Sequence, residues 1–216
     1  MKQLIIYDLD GTLVDTLEDI TQAANHMLRQ LQAPRLSSHE IRRFIGSGVQ
    51  ELVRRCLKTD DPQRIEQGIM MYRTYYALHM LDSSALYPGA QEVLDYFRPR
   101  HQAVITNKPN PYSRQILTAL GVANYFLEIV AGDSMYPRKP DPTATLAIMK
   151  CQGIRPEDTL LVGDSPIDIE TGRNAGVMTV GIIHGFSERE ELASATPDTI
   201  VANFEELLHH AKQYGW

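Results

Sequence analysis

The chain has 216 residues, 43% of them apolar, which is enough for one substantial core, or for a core with a smaller unit inserted, and excludes a disordered chain. A formal net charge of -6 gives no general attraction to a polyphosphate backbone, so nucleic acid is excluded as the expected partner. The two cysteines, Cys56 and Cys151, belong to no C-x-x-C pair and no zinc-spaced cluster, as suits free thiols in a reducing compartment.

The first element is the apolar run Leu4-Ile5-Ile6-Tyr7, a buried strand cut off by Asp8 and Asp10. It is too short for a signal-peptide core, and no later run approaches the roughly 18 apolar residues of a membrane span, so a cytoplasmic protein with no membrane partner is expected. From residue 15 to 83 strand signals almost vanish. Ile20, Ala23, Ala24, Met27, Leu28 and Leu31 share one helical face, while Ile41, Phe44, Ile45 and then Val49, Leu52, Val53 predict two shorter helices around Gly46-Ser47-Gly48. The chain returns at Leu86-Tyr87-Pro88-Gly89, a turn before a helix through Leu94 and Phe97.

Four more buried-strand runs follow: Ala103-Val104-Ile105, Ile129-Val130-Ala131, Leu160-Leu161-Val162 and Thr179-Val180-Gly181-Ile182. The helical patterns between them start at Asn110-Pro111, Asp141-Pro142 and Ser165-Pro166 and stop at Gly121, Gly153 and Gly176. This alternation predicts an α/β protein with a doubly wound parallel sheet, right-handed crossovers and an all-helical insertion after the first strand.

Four polar clusters stand at predicted strand ends: Asp8-Leu-Asp10-Gly-Thr12, Thr106-Asn107-Lys108, Lys139-Pro-Asp141, and Gly163-Asp164-Ser165 with Asp168. In open parallel sheets ligands bind beyond the carboxyl ends of the strands, so the topology gathers these clusters in one crevice. Asp8 and Asp10 alternate along an extended segment and point to the same side. Two such carboxylates, with Asp164 as a third, need a hard cation with oxygen ligands such as Mg2+. Asp8 can then stay ionised as a nucleophile while Asp10 carries a proton. Asp-x-Asp-Gly also begins calcium loops, but Thr12, Leu13 and Asp19 stand where that loop wants other residues. Asp168, three residues after Ser165, would also complete a helix-capping box, a compatible role.

The clusters DLDGT at 8 to 12, TNK at 106 to 108, RKPDP at 138 to 142 and GDSPID at 163 to 168 together resemble the four motifs of the haloacid dehalogenase superfamily, over essentially the whole chain. The resemblance implies a Rossmann-like catalytic core, residues 1–14 and 84–216, and an inserted helical cap, residues 15–83. It implies that Asp8 forms an aspartyl-phosphate, that Asp10 protonates the leaving group and later activates water, that Thr106 holds the phosphoryl group, and that Lys139 screens nucleophile and phosphate. Mg2+ would contact the Asp8 side chain, the Asp10 carbonyl and Asp164, with Asp168 supporting.

Within the superfamily the chain is most similar to phosphoglycolate phosphatases, through the cap stretch from Phe44 to Val53 and Ala131-Gly132-Asp133-Ser134. The expected reaction is hydrolysis of a small phosphate monoester, 2-phosphoglycolate first, by a monomer or homodimer. A phosphosugar mutase, a pyrophosphatase and a non-catalytic phosphate-binding regulator are the alternatives. Asn107, Lys108 and the backbone of Gly46 and Gly48 are the expected substrate contacts beside Thr106. Arg42, Arg43, Arg54 and Arg55 flank the glycine loop as candidate cations, and His184 is a further candidate for the crevice.

Overall fold

The computed structural model describes residues 1–216. Its first strand, β1 (Leu4–Tyr7), is followed by a two-residue strand, β2 (Val14–Asp15). Four helices come next: α1 (Leu17–Gln30), α2 (Ser38–Arg42), α3 (Val49–Leu57) and α4 (Pro62–His79). The remainder alternates: β3 (Ala85–Leu86), α5 (Ala90–Tyr96), β4 (His101–Ile105), α6 (Tyr112–Ala119), β5 (Glu128–Val130), α7 (Thr143–Gln152), β6 (Thr159–Gly163), α8 (Pro166–Ala175), β7 (Met178–Ile182), α9 (Arg189–Ser194), β8 (Thr199–Val201) and α10 (Phe204–Tyr214).

Six strands form one parallel sheet in the order β5-β4-β1-β6-β7-β8, so every predicted strand run is present. The central strand β1 is buried on both faces and its side chains alternate between two cores. Ile5 and Tyr7 join the larger core with Val93, Leu94 and Phe204, while Leu4 and Ile6 join a smaller one with Ile148 and Met149 of α7. Each such aliphatic side chain removed from water contributes about 1.5–3 kcal/mol. The register places Leu4 beside His101 on one side and Thr159 on the other, and β1 therefore delivers Asp8 into the crevice between β4 and β6.

The three predicted glycine stops lie where expected, with Gly121, Gly153 and Gly176 all in the left-handed region. Two elements differ from the sequence reading. The third predicted run is shifted by one residue, to Glu128–Val130, and a sixth strand, β8, pairs with β7 at the sheet edge. β8 is three residues long and only Val201 is buried, so it lacks the continuous apolar run that marks the central strands.

The helical insertion leaves and re-enters through β2 and β3, which pair antiparallel, Val14 with Leu86 and Asp15 with Ala85. Just beyond, the buried Asp19 carboxylate accepts from the Ser83 and Ser84 amides at 3.0 and 2.9 Å and from Ser84 Oγ at 2.6 Å, tying entry to exit. α1 presents the predicted face, Ile20, Ala23, Ala24, Met27 and Leu28, and packs against α4. Gly68 allows that approach: a Cβ there would meet Val53 Cγ1 at 2.7 Å and Met27 Sδ at 3.1 Å. Of the two shorter predicted helices, α2 ends at Arg42, leaving Phe44 and Ile45 in the connecting turn.

Candidate active site

All four polar clusters meet at the carboxyl edge of the sheet. Asp8 follows β1 directly, and its Oδ1 accepts from the Leu9 amide at 2.7 Å and pairs with Lys139 Nζ at 2.8 Å. Its Oδ2 accepts no hydrogen bond, so one oxygen is held and the other is unengaged. Lys139 Nζ also donates to Asp168 Oδ1 at 2.6 Å. Asp168 takes its second role as well, because its Oδ2 accepts from the Ser165 amide and hydroxyl at the start of α8.

Asp164 leaves β6 and accepts from Thr12 Oγ1 and the Phe186 amide, both at 2.7 Å. Ligand oxygens of Asp8, Asp164 and Asp168 lie within 4.8 Å of one another, all buried. Burial is the main reason the Asp8 carboxyl is pushed up to about 7, opposed by Lys139 and reinforced by Asp168. Asp164 is raised well above the usual carboxylate range by burial, then by Asp168 and Asp8. Burial pulls the Lys139 ammonium down, but Asp168 and Asp8 outweigh it and its pKa is raised. One ammonium therefore faces three carboxylates in a desolvated site, and a hard cation with oxygen ligands is what relieves such a set. Backbone surrounds the cluster closely: a Cβ on Gly11 or Gly185 would run into the Asp164 side chain.

Asp10 is oriented by Thr16 Oγ1 at 2.7 Å and Lys108 Nζ at 2.9 Å, both on its Oδ1. Thr106, at the end of β4, is buried and its Oγ1 accepts from the Lys108 amide at 3.2 Å. Asn107 lines the cleft but its amide is engaged: Nδ2 donates to the carbonyls of Gly46 and Lys139 at 2.9 and 3.1 Å, and Oδ1 accepts from the Lys139 amide at 3.0 Å. It thereby positions Lys139 and pins the glycine loop to the core.

The cleft of about 50 Å³ between core and helical insertion is lined by Asp8, Asp10, Thr106 and Lys108 below, and by Gly46, Gly48, Val49, Leu52, Tyr72 and Tyr76 above. None of the four arginines expected near the glycine loop lines it. Arg54 and Arg55 are paired with Glu51 at 2.7 and 2.6 Å. Arg42 donates instead to the carbonyls of Gly185 and Phe186 at 2.8 and 2.6 Å, bracing the loop whose amide holds Asp164. His184 lies outside the cleft as well: its Nε2–H donates to the Thr12 carbonyl at 3.0 Å and its ring stacks on Tyr87. Burial holds its pKa below the usual histidine value, opposed by that hydrogen bond. The bracing of Arg42 was not legible in the sequence because it joins residues far apart in the chain, and the aromatic roof was not because Tyr72 and Tyr76 have the spacing of any buried helix face.

A family model described as haloacid dehalogenase-like hydrolase matches residues 5–182. A phosphoglycolate phosphatase of Pseudomonas putida is 32% identical over 96% of this chain and 79% of its own length. Phosphoglycolate phosphatase 1 of Pseudomonas aeruginosa is 34% identical over 99% and 81%. A crystal structure from Haemophilus somnus, titled a predicted phosphoglycolate phosphatase, superposes with a TM-score of 0.92 at 30% identity, covering 97% of this chain and 98% of that one.

Proposed function

Because this chain belongs to the haloacid dehalogenase-like hydrolase family and is a phosphatase, a phosphoric monoester hydrolase, we propose that it hydrolyses 2-phosphoglycolate, with Asp8 as nucleophile and Asp10 as general acid and base. The observation that carries the mechanism is the asymmetry of Asp8: Oδ1 is fixed by the Leu9 amide and Lys139 while Oδ2 accepts no hydrogen bond. The names and coverage of the curated relatives support the substrate.

Asp8 Oδ2 attacks phosphorus, the ester P–O bond breaks, and Asp10 gives its proton to the leaving alkoxide. Water then attacks phosphorus, Asp10 takes a proton from it, and phosphate leaves with Asp8 regenerated. Thr106 holds phosphoryl oxygens and Lys139 balances charge on both Asp8 and the transferring group. Mg2+ would be held by the Asp8 side chain, the Asp10 carbonyl and Asp164, with Asp168 supporting, and when bound would neutralise charge on the carboxylates and phosphoryl oxygens. The free thiols and the absence of a helix long and apolar enough to cross a membrane are consistent with a cytoplasmic protein, in which domain terms 1–14 and 84–216 serve as core and 15–83 as cap.

The test is phosphate release from a panel of monoesters with purified protein and Mg2+, ranked by kcat/KM. We expect 2-phosphoglycolate at the top and release without any added acceptor. A requirement for an acceptor would replace hydrolysis by phosphoryl transfer to another hydroxyl.

The glycine loop gives a second test. Gly48 has φ +88°, and a Cβ there would meet Arg138 Nη1 at 3.0 Å and the Asn107 carbonyl oxygen at 3.5 Å. Gly48→Ala therefore strains the loop where it roofs the cleft and leaves the core groups in place. We expect kcat/KM for 2-phosphoglycolate to fall about tenfold, roughly 1.4 kcal/mol of transition-state binding, with a smaller loss for an aryl phosphate. An unchanged ratio of the two constants would remove this loop from substrate selection.

A further inference from the structure

Tyr76 on α4 is 1% exposed, and its hydroxyl has no hydrogen-bond partner. A buried hydroxyl left unpaired costs free energy that phenylalanine would avoid, and such groups in folded proteins require an explanation. The other unpaired buried atoms belong to Thr21, Arg100, Thr145 and His210, none of which lines the cleft; Tyr76 does. Its ring is fixed from three sides. Tyr72 stacks on it at 5.4 Å, Tyr112 meets it edge-on at 5.4 Å, and the Lys108 ammonium lies 4.7 Å from its centroid. The ring is therefore held at the wall of the cleft, and its hydroxyl finds no partner among the protein's own groups.

Burial, with the negative charges of Asp10 and Asp19, keeps the phenol well above its ordinary pKa, so it is a neutral donor at working pH. With the Lys108 ammonium over its ring, paired to Asp10, and with Tyr72 and Arg73 also lining the cleft, a neutral O–H donor here suits an anionic oxygen on a short tail.

We propose that Tyr76 is a specificity-determining residue whose hydroxyl donates to the carboxylate of a short-tailed phosphate monoester, beside the charge of Lys108. This rests on the phosphatase reading of the cleft and adds to it the group that recognises the leaving portion. A site built to hydrogen-bond an oxygen rejects the analogue that lacks it, because its own polar group is then left unpaired.

The experiment compares 2-phosphoglycolate with ethyl phosphate, which has the same carbon skeleton and no carboxylate, in wild type and Tyr76→Phe at saturating Mg2+ and one pH. Wild type should prefer 2-phosphoglycolate, and Tyr76→Phe should reduce that ratio of kcat/KM about tenfold or more, mainly through KM. The melting temperature of the free variant should equal or exceed that of wild type, since only an unpaired hydroxyl is deleted. A lowered melting temperature with equal losses for both esters would make the hydroxyl structural and overturn the inference. A wild-type preference left intact by Tyr76→Phe would overturn it alone. No preference in wild type would overturn the 2-phosphoglycolate reading together with it.

Discussion

Asp8→Ala is expected to leave phosphate release at background, a loss of about 10⁴-fold or more in kcat, because the covalent route disappears with the carboxylate. Asp8→Asn keeps the shape and should lose nearly as much, with any slow recovery traced to deamidation. Both variants should fold: Lys139, the buried partner of Asp8, retains its 2.6 Å pair with Asp168. Asp10→Asn should behave differently, losing on the order of 10²- to 10⁴-fold, the range of general acid–base catalysis, while still forming a phosphorylated protein with a good leaving group. Steady-state and single-turnover phosphate release on the same preparations separate the two roles. If Asp8→Asn kept more than about a tenth of wild-type kcat, beyond what deamidation explains, Asp8 would not be the nucleophile.

The parts of this site that the sequence made legible are those where chemistry and fold share a few adjacent residues. Leu4 to Tyr7 are apolar on both faces because β1 is covered on both, and the run ends at Asp8 because the strand ends there. Ser165-Pro166 and Asp168 announce the start of α8 with the same side chains that place Asp168 against Lys139. The roof of the cleft is different. Tyr72 and Tyr76 have the spacing of an ordinary buried helix face, and nothing in that spacing distinguishes a phenol packed in a core from one that lines a cleft. Arg42 looks like a solvated helix cation until residues more than a hundred positions away supply the carbonyls it braces. Asp19 likewise looks like a surface acid in the first turn of a helix, and its partners lie at the far end of the insertion. Local signals specify elements and their ends; closure of one layer over another is written in pairings that only the folded chain brings together.

Removing divalent metal is expected to abolish turnover as completely as removing Asp8. Oxygens of Asp8, Asp164 and Asp168 converge within 4.8 Å, and Lys139 is the one ammonium paired into that cluster. With burial and like charge pushing Asp8 up to about 7 and Asp164 well above its ordinary value, the site without a cation favours the protonated carboxyls, whereas the proposed attack needs the Asp8 anion. EDTA should therefore stop phosphate release and Mg2+ restore it. Ca2+ should substitute poorly, because its larger and looser shell tolerates geometries that do not orient a nucleophile. Binding should also be visible without turnover: a cation that binds only the folded state raises the melting temperature as its concentration passes Kd. Asp164→Ala withdraws one of the three carboxylates and leaves Asp8, Lys139 and Asp168 paired, so it should raise the Mg2+ concentration for half-activation about tenfold or more. The Mg2+-dependent rise in melting temperature should move to the same higher range. Full turnover after exhaustive chelation, or an Asp164→Ala protein with wild-type Mg2+ dependence in both measurements, would show that these carboxylates are not the metal site.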